Sequence, residues 1–155
     1  MVTATEPRTQ TCLKHAQANA LALYLNSKRY HWFTYGPLFR DLHLFFDELA
    51  NDAFAEVDPL GERLRMLGGD PLSMPEEIRQ WATVRIAEGK PTPREMLEEA
   101  LANERRVVAE MREAARIADE EGDPGTNDLF SGLVQTHEKH AWFIEEFLRR
   151  DDGMR

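Results

Sequence analysis

Apolar residues recur along this chain at intervals of three and four, with few β-branched runs, and proline–glycine clusters interrupt the pattern cleanly. From near Arg8 to near Phe33, Leu13, Ala16, Ala20, Leu23 and Ser27 fall on one face of a predicted helix. Tyr35-Gly36-Pro37 breaks it. A second helix is predicted from about Pro37 to Leu67, with Pro37 in its first turn, where the missing N–H does no harm. Its apolar positions are Leu38, Leu42, Phe45, Phe46, Leu49, Ala53, Leu60, Leu64 and Leu67, and Gly68-Gly69 ends it. Within the long connection from Asp70 to Pro91, Pro75 to Trp81 reads as a short helix. Thr92-Pro93-Arg94-Glu95 has the form of a capping box and opens a third long helix to about Glu121. After Gly122-Asp123-Pro124-Gly125, Thr126 is placed as the cap of a fourth, running to about Arg150.

These marks predict an all-α, four-helix bundle forming a single domain over residues 1–155, with short tails at 1–8 and 150–155. Short links make the first and second helices, and the third and fourth, antiparallel neighbours. The link carrying the extra short helix is long enough to return the chain along the bundle, so the second and third long helices can point the same way. One such crossover is the connectivity of ferritin-like bundles.

Composition narrows the functional classes. Hydrophobic residues make up 42% and charged residues 30%, a globular balance. No apolar run approaches the roughly 20 residues of a membrane span, and the polar stretch Met1–Thr11 does not resemble a signal peptide. A single cysteine, Cys12, cannot form an internal disulfide, which suits a reducing cytoplasm. The net charge of −9 disfavours a nucleic-acid binder and favours cations.

The chemistry concentrates on the second helix. His43 and Asp47 are four residues apart, as are Asp58 and Glu62, so each pair shares a helix face. At ~100° per residue all four fall within a stripe about 100° wide. The midpoints of the two pairs are nevertheless about 22 Å apart along the axis, whereas metal bonds to nitrogen and oxygen are about 2 Å long. One helix cannot close both pairs on one ion. A second copy, packed antiparallel about a two-fold axis, can. His31, near the end of the first helix, lies across the tight turn and adds a further donor. Two imidazoles and three carboxylates suit iron, manganese or zinc, and the lack of thiolates argues against a structural zinc site.

The sequence resembles the Dps family of miniferritins from about Cys12 to Leu148. The resemblance is carried by His31-Trp32, Gly36-Pro37-Leu38-Phe39, Leu42 to Leu49, Asp58 to Leu64, Leu67 to Pro71 and Glu138 to Phe143. It implies ferroxidase ligands at His31, His43, Asp47, Asp58 and Glu62, shared between subunits of a hollow homo-dodecamer. It also implies ferrous iron as substrate, hydrogen peroxide as the preferred oxidant, and storage of ferric iron with protection against oxidative damage. Asp58 and Glu62 would hold the tighter iron, the two histidines would assist, and Asp47 would tune or bridge. Trp32 and Trp142 are read either as electron donors to stray oxidants or as core aromatics. The family's acidic three-fold pores would draw on Asp119, Glu120, Asp123 and Asp128.

Several features depart from the family pattern. Pro59 lies inside the second helix, where it removes an N–H and crowds the preceding turn, so a kink is expected between Ala55 and Pro59. Gly61 adds roughly 1 kcal/mol of helix penalty. His137 and His140, three apart, are read as surface or packed histidines in preference to a secondary metal site. Glu-x-x-His, the usual signature of a di-iron site within one bundle, is absent. The ends offer only Arg8, Lys14 and His15, and Arg149, Arg150 and Arg155 offset by Asp151 and Asp152, so DNA binding is predicted to be weak or absent. The competing readings are a DNA-compacting protein with little redox role and a shell binding zinc at an altered site.

Overall fold

A computed structural model describes residues 6–150 and Asp152. The end residues Met1–Thr5, Asp151 and Gly153–Arg155, which enter the prediction about DNA, lie outside the described residues. The elements are α1 (Arg8–Phe33), α2 (Phe39–Met66), α3 (Pro75–Trp81), α4 (Pro93–Glu120) and α5 (Pro124–Leu148). No strand occurs among the described residues.

Two apolar clusters fix the direction of every long helix. One joins Tyr30 of α1, Leu42 and Phe46 of α2, Met96 and Leu97 of α4 and Ile144 of α5. The other joins Leu13, Leu60 with Leu64, Val107 with Met111, and Phe130. The C-terminal ends of α1 and α5 therefore meet the N-terminal ends of α2 and α4. α2 and α4 run together, and α1 and α5 run against them, as a single long crossover requires. Among the described residues, no helix is long and apolar enough to cross a membrane.

Buried amides on α1 secure the crossover. Gln17 Oε1 accepts from the Leu72 N–H, Asn19 Oδ1 from Thr83 and Asn26 Oδ1 from Ala87, each at 2.8 Å. Asn103 of α4 accepts from the Arg85 N–H at 2.9 Å. These side chains replace the water that an irregular backbone segment needs once it is packed down. The same close approach explains Gly61, because a Cβ there would stand 2.8 Å from Gln17 Nε2.

The boundaries depart from expectation at two places. α2 starts at Phe39, because Gly36 at φ +95° and the Phe39 N–H to Gly36 carbonyl bond form a turn that leaves Pro37 ahead of the helix. α5 is capped by Asp123 rather than Thr126. Pro124 takes the first position, and Asp123 Oδ1 accepts the Thr126 N–H at 3.0 Å. At Pro59, α2 continues to Met66. Ala55, whose carbonyl loses its partner, is exposed and can be hydrated, while buried Glu56, Leu60 and Leu64 hold both flanks. Thr92 and Glu95 form the predicted box: Glu95 Oε2 accepts the Thr92 N–H at 2.7 Å, and Thr92 Oγ1 accepts the Glu95 N–H at 3.3 Å.

Candidate metal centre

The α1–α2 turn brings His31 and His43 face to face, with ring centroids 3.6 Å apart and planes 18° from parallel. His31 Nδ1 lies 2.6 Å from the His43 carbonyl, and His43 Nδ1 lies 2.7 Å from the His31 carbonyl. A neutral imidazole that donates from Nδ1 keeps its lone pair on Nε2. Each backbone therefore fixes the other ring's tautomer and leaves both Nε2 atoms as donors toward a metal, a role usually filled by outer hydrogen-bond partners. Asp47, one turn along α2, accepts from Lys28 Nζ at 2.7 Å. That ammonium holds its carboxyl below the ordinary carboxylate range, with the two nearby histidines contributing in the same direction.

Asp58 and Glu62 are exposed at the far end of α2. They border an open hollow with Phe54, Gly61, Met66 and Pro71. The structure thus brings His31, His43 and Asp47 together and keeps Asp58 and Glu62 apart from them within the chain. Between and beside the two groups, Leu25, Trp32, Leu44, Phe54 and Met66 are exposed apolar side chains on α1 and α2.

Trp32 is 66% exposed and Trp142 57%, so neither is a core aromatic of this chain. Among the acidic residues read as lining pores, Asp119 and Asp128 are exposed and Glu120 pairs with Arg116 and Arg8. Asp123 is committed elsewhere, capping α5 and accepting from Arg63 Nη2 at 2.5 Å.

A second donor set lies inside the bundle. His137 and His140 are buried, not surface residues. His137 Nδ1 lies 2.6 Å from Glu104 Oε2 and its Nε2 3.0 Å from Glu56 Oε2. His140 Nε2 lies 2.7 Å from Asp52 Oδ2. Burial disfavours the His137 imidazolium, but the bonds to Glu104 and Glu56 outweigh it and push the group up to about 10. For Glu104, desolvation works upward, and the two histidines override it to hold the carboxyl below its ordinary range. His140 is raised against its own burial by Glu104 and Asp52. Sequence reasoning missed Glu56, Glu104 and Asp52. The available signal was an acidic residue at an apolar position of a helix: Glu104 falls in the stripe Leu97, Ala100, Leu101, Val107 and Val108, and Glu56 between Ala53 and Leu60.

A family model described as a Ferritin-like domain matches residues 10–154. The chain is 34% identical over 137 residues to DNA protection during starvation protein 1 of Deinococcus radiodurans, covering 88% of this chain and 66% of that protein, just under two thirds of its length. It is similar to the X-ray structure of Dps from Thermosynechococcus elongatus, with a TM-score of 0.93 and 51% identity over 95% of this chain and 94% of that one. It is also similar to the Dps of Vibrio cholerae O1, described as a member of a broad superfamily of ferritin-like diiron-carboxylate proteins, with a TM-score of 0.87 and 25% identity over 92% of this chain and 89% of that one.

Proposed function

Because this chain belongs to the Dps miniferritins of the ferritin-like superfamily, which store iron, we propose that it oxidises ferrous iron at sites shared between two copies and stores the ferric product. His31 and His43 of one subunit face Asp58 and Glu62 of the other. Asp58 and Glu62 hold the iron that becomes ferric, since hard anionic oxygens favour the higher charge. The two histidine Nε2 atoms complete the site, and Asp47 bridges or tunes from its anchor on Lys28.

The observation that carries this reading is the split donor set on one rigid helix. Two fixed imidazoles, His43 on α2 and His31 at the end of α1, stand at one end of α2, and two exposed carboxylates lie about 22 Å along it. The exposed apolar residues flanking both groups give a second copy a surface to cover. A two-fold contact then makes two equal sites, and a hollow shell of twelve subunits follows the family. Exposed Asp119 and Asp128 would help lead cations inward.

Hydrogen peroxide is the proposed acceptor. Two ferrous ions give it one electron each and its O–O bond breaks. With two waters, the products are two ferric oxyhydroxide units and four protons. Paired delivery avoids the one-electron cleavage that would free a hydroxyl radical, so consuming both reagents protects the cell against oxidative damage. The acidic chain favours cation uptake over DNA binding, and its lone cysteine suits a reducing cytoplasm.

The test is ferric formation with peroxide and with oxygen. Glu62→Ala slows it about tenfold or more. Shells made only of His31→Ala/His43→Ala chains, or only of Asp58→Ala/Glu62→Ala chains, are slow. Co-assembly of the two variants restores one intact site in each mixed pair and recovers rate. Wild-type rates in Glu62→Ala, or no recovery on mixing, remove the shared site.

A further inference from the structure

The donor set inside the bundle is unused by the reaction proposed above and stands on different residues. Among the described residues, Glu104, His137 and His140 are grouped so that one ligand atom from each lies within 4.8 Å of the others, and all three are buried. Ligands sharing one ion through bonds of about 2.1 Å stand roughly 3.4–4.2 Å apart. Closing this set therefore asks for side-chain movement of about an ångström.

The hydrogen bonds around the set are those of prepared metal ligands. His137 Nε2 meets Glu56 Oε2 at 3.0 Å, and His140 Nε2 meets Asp52 Oδ2 at 2.7 Å. Each carboxylate can accept an Nε2–H and so leave the lone pair on Nδ1, as outer carboxylates do for metal-bound histidines. Both Nδ1 atoms then face Glu104, at 2.6 Å from Oε2 for His137 and 3.7 Å from Oε1 for His140. The second distance is too long for a hydrogen bond, and His140 Nδ1 is buried without a partner. Glu56 Oε1 is likewise buried without one. Both residues are more than nine-tenths buried. Unpaired polar atoms at such depth are costly unless something binds them.

We infer that Glu104, His137 and His140 form a second metal site within each subunit, taking one divalent transition-metal ion of the zinc, ferrous or manganous class. Two imidazole nitrogens and a carboxylate oxygen match those ions. The charge also fits: Asp52, Glu56 and Glu104 surround two imidazoles, and a dication offsets what a shared proton offsets in the metal-free chain. Asp52, whose side chain is 50% exposed, connects the cluster to solvent and marks the way in. The bound ion would tie α4 directly to α5 and, through Glu56 and Asp52, hold α2 against both.

Full-length Asp58→Ala/Glu62→Ala protein, which lacks the carboxylates of the surface sites, is stripped with chelator and titrated with cobalt(II). The expected result is one cobalt per chain with visible d–d absorption, and at least tenfold weaker binding when His140→Gln is added. Circular dichroism verifies that the added variant is folded. Crystals of the stripped Asp58→Ala/Glu62→Ala protein soaked in zinc should show an anomalous peak between Glu104, His137 and His140, and this map decides alone if the His140 variant does not fold. No cobalt uptake, uptake unchanged by His140→Gln, or a map without that peak overturns the inference. None of these results bears on the mixed-shell recovery that tests the surface sites.

Discussion

His137→Leu isolates what the buried cluster contributes to the metal-free protein. The imidazole is 1% exposed and lies between Glu104 and Glu56, each 4% exposed, at 2.6 and 3.0 Å. The substitution fills similar space but leaves two buried carboxylates without their shared donor. Breaking a buried pair by removing one partner costs about 3–5 kcal/mol. For a chain of this size each kcal/mol lowers Tm by about 2–4 °C, so the expected loss is roughly 6–20 °C. Thermal unfolding of chelator-treated protein, followed by helical circular dichroism at fixed concentration, measures it. The deficit should shrink as the pH is lowered, because a neutral carboxyl tolerates burial better than a carboxylate. Replacing Glu56 and Glu104 by leucine in the same chain should recover most of the loss, since apolar substitutes for a buried ionic group are often neutral or stabilising. A single variant within about 1 kcal/mol of the parent, or a triple variant no better than the single one, refutes this account.

Other outcomes follow from neighbouring groups. The His137 imidazolium, raised from 6.5 to about 10, contributes stability that is fully present below 6.5 and lost as pH rises through about 10. The metal-free parent should therefore lose Tm on the alkaline side of neutrality more steeply than His137→Leu, as a pH series of melts would show. Asp123→Ala removes the α5 cap and the Arg63 partner together, for about 2–3 kcal/mol by chemical denaturation. Gly125→Ala places a Cβ 2.7–2.9 Å from the same guanidinium, so its loss should be less than additive with that of Asp123→Ala. With a net charge of −9, the protein should leave duplex DNA unretarded in a gel even at low salt.

The bundle was legible because its signals are local. Period, proline and glycine placement and the Thr92–Glu95 box act within a few residues, and all four long helices begin and end within a few residues of the predicted positions. The misreadings come from what one segment cannot know about another. Thr126 looked like a cap until Asp123, bound to Arg63 of α2, took that place. At Pro59, where a kink is expected, the sequence shows the lost bond but not that Ala55 faces water. The reason for Gly61, its neighbour Gln17, lies 44 residues away on α1.

The two donor sets fail to be legible for opposite reasons. On the surface, every residue was visible in the sequence, yet neither sequence nor a single chain can close the site, because α2 is too long for its own ends to meet. Completion of the proposed site requires a copy, and among the described residues exposed apolar side chains lie beside the proposed ligands. In the core, the residues meet within one chain, yet they are spread over 89 positions, from Asp52 to His140, on three helices. No spacing rule joins them. What did mark them was charge out of place: a buried helix face tolerates a glutamate only when another helix supplies its partner. Glu56 and Glu104 both stand on such faces, and the two histidines of α5 meet them there. An acidic residue inside an apolar stripe is thus the sequence mark of a buried polar site, just as paired ligands too far apart on one helix are the mark of a shared one.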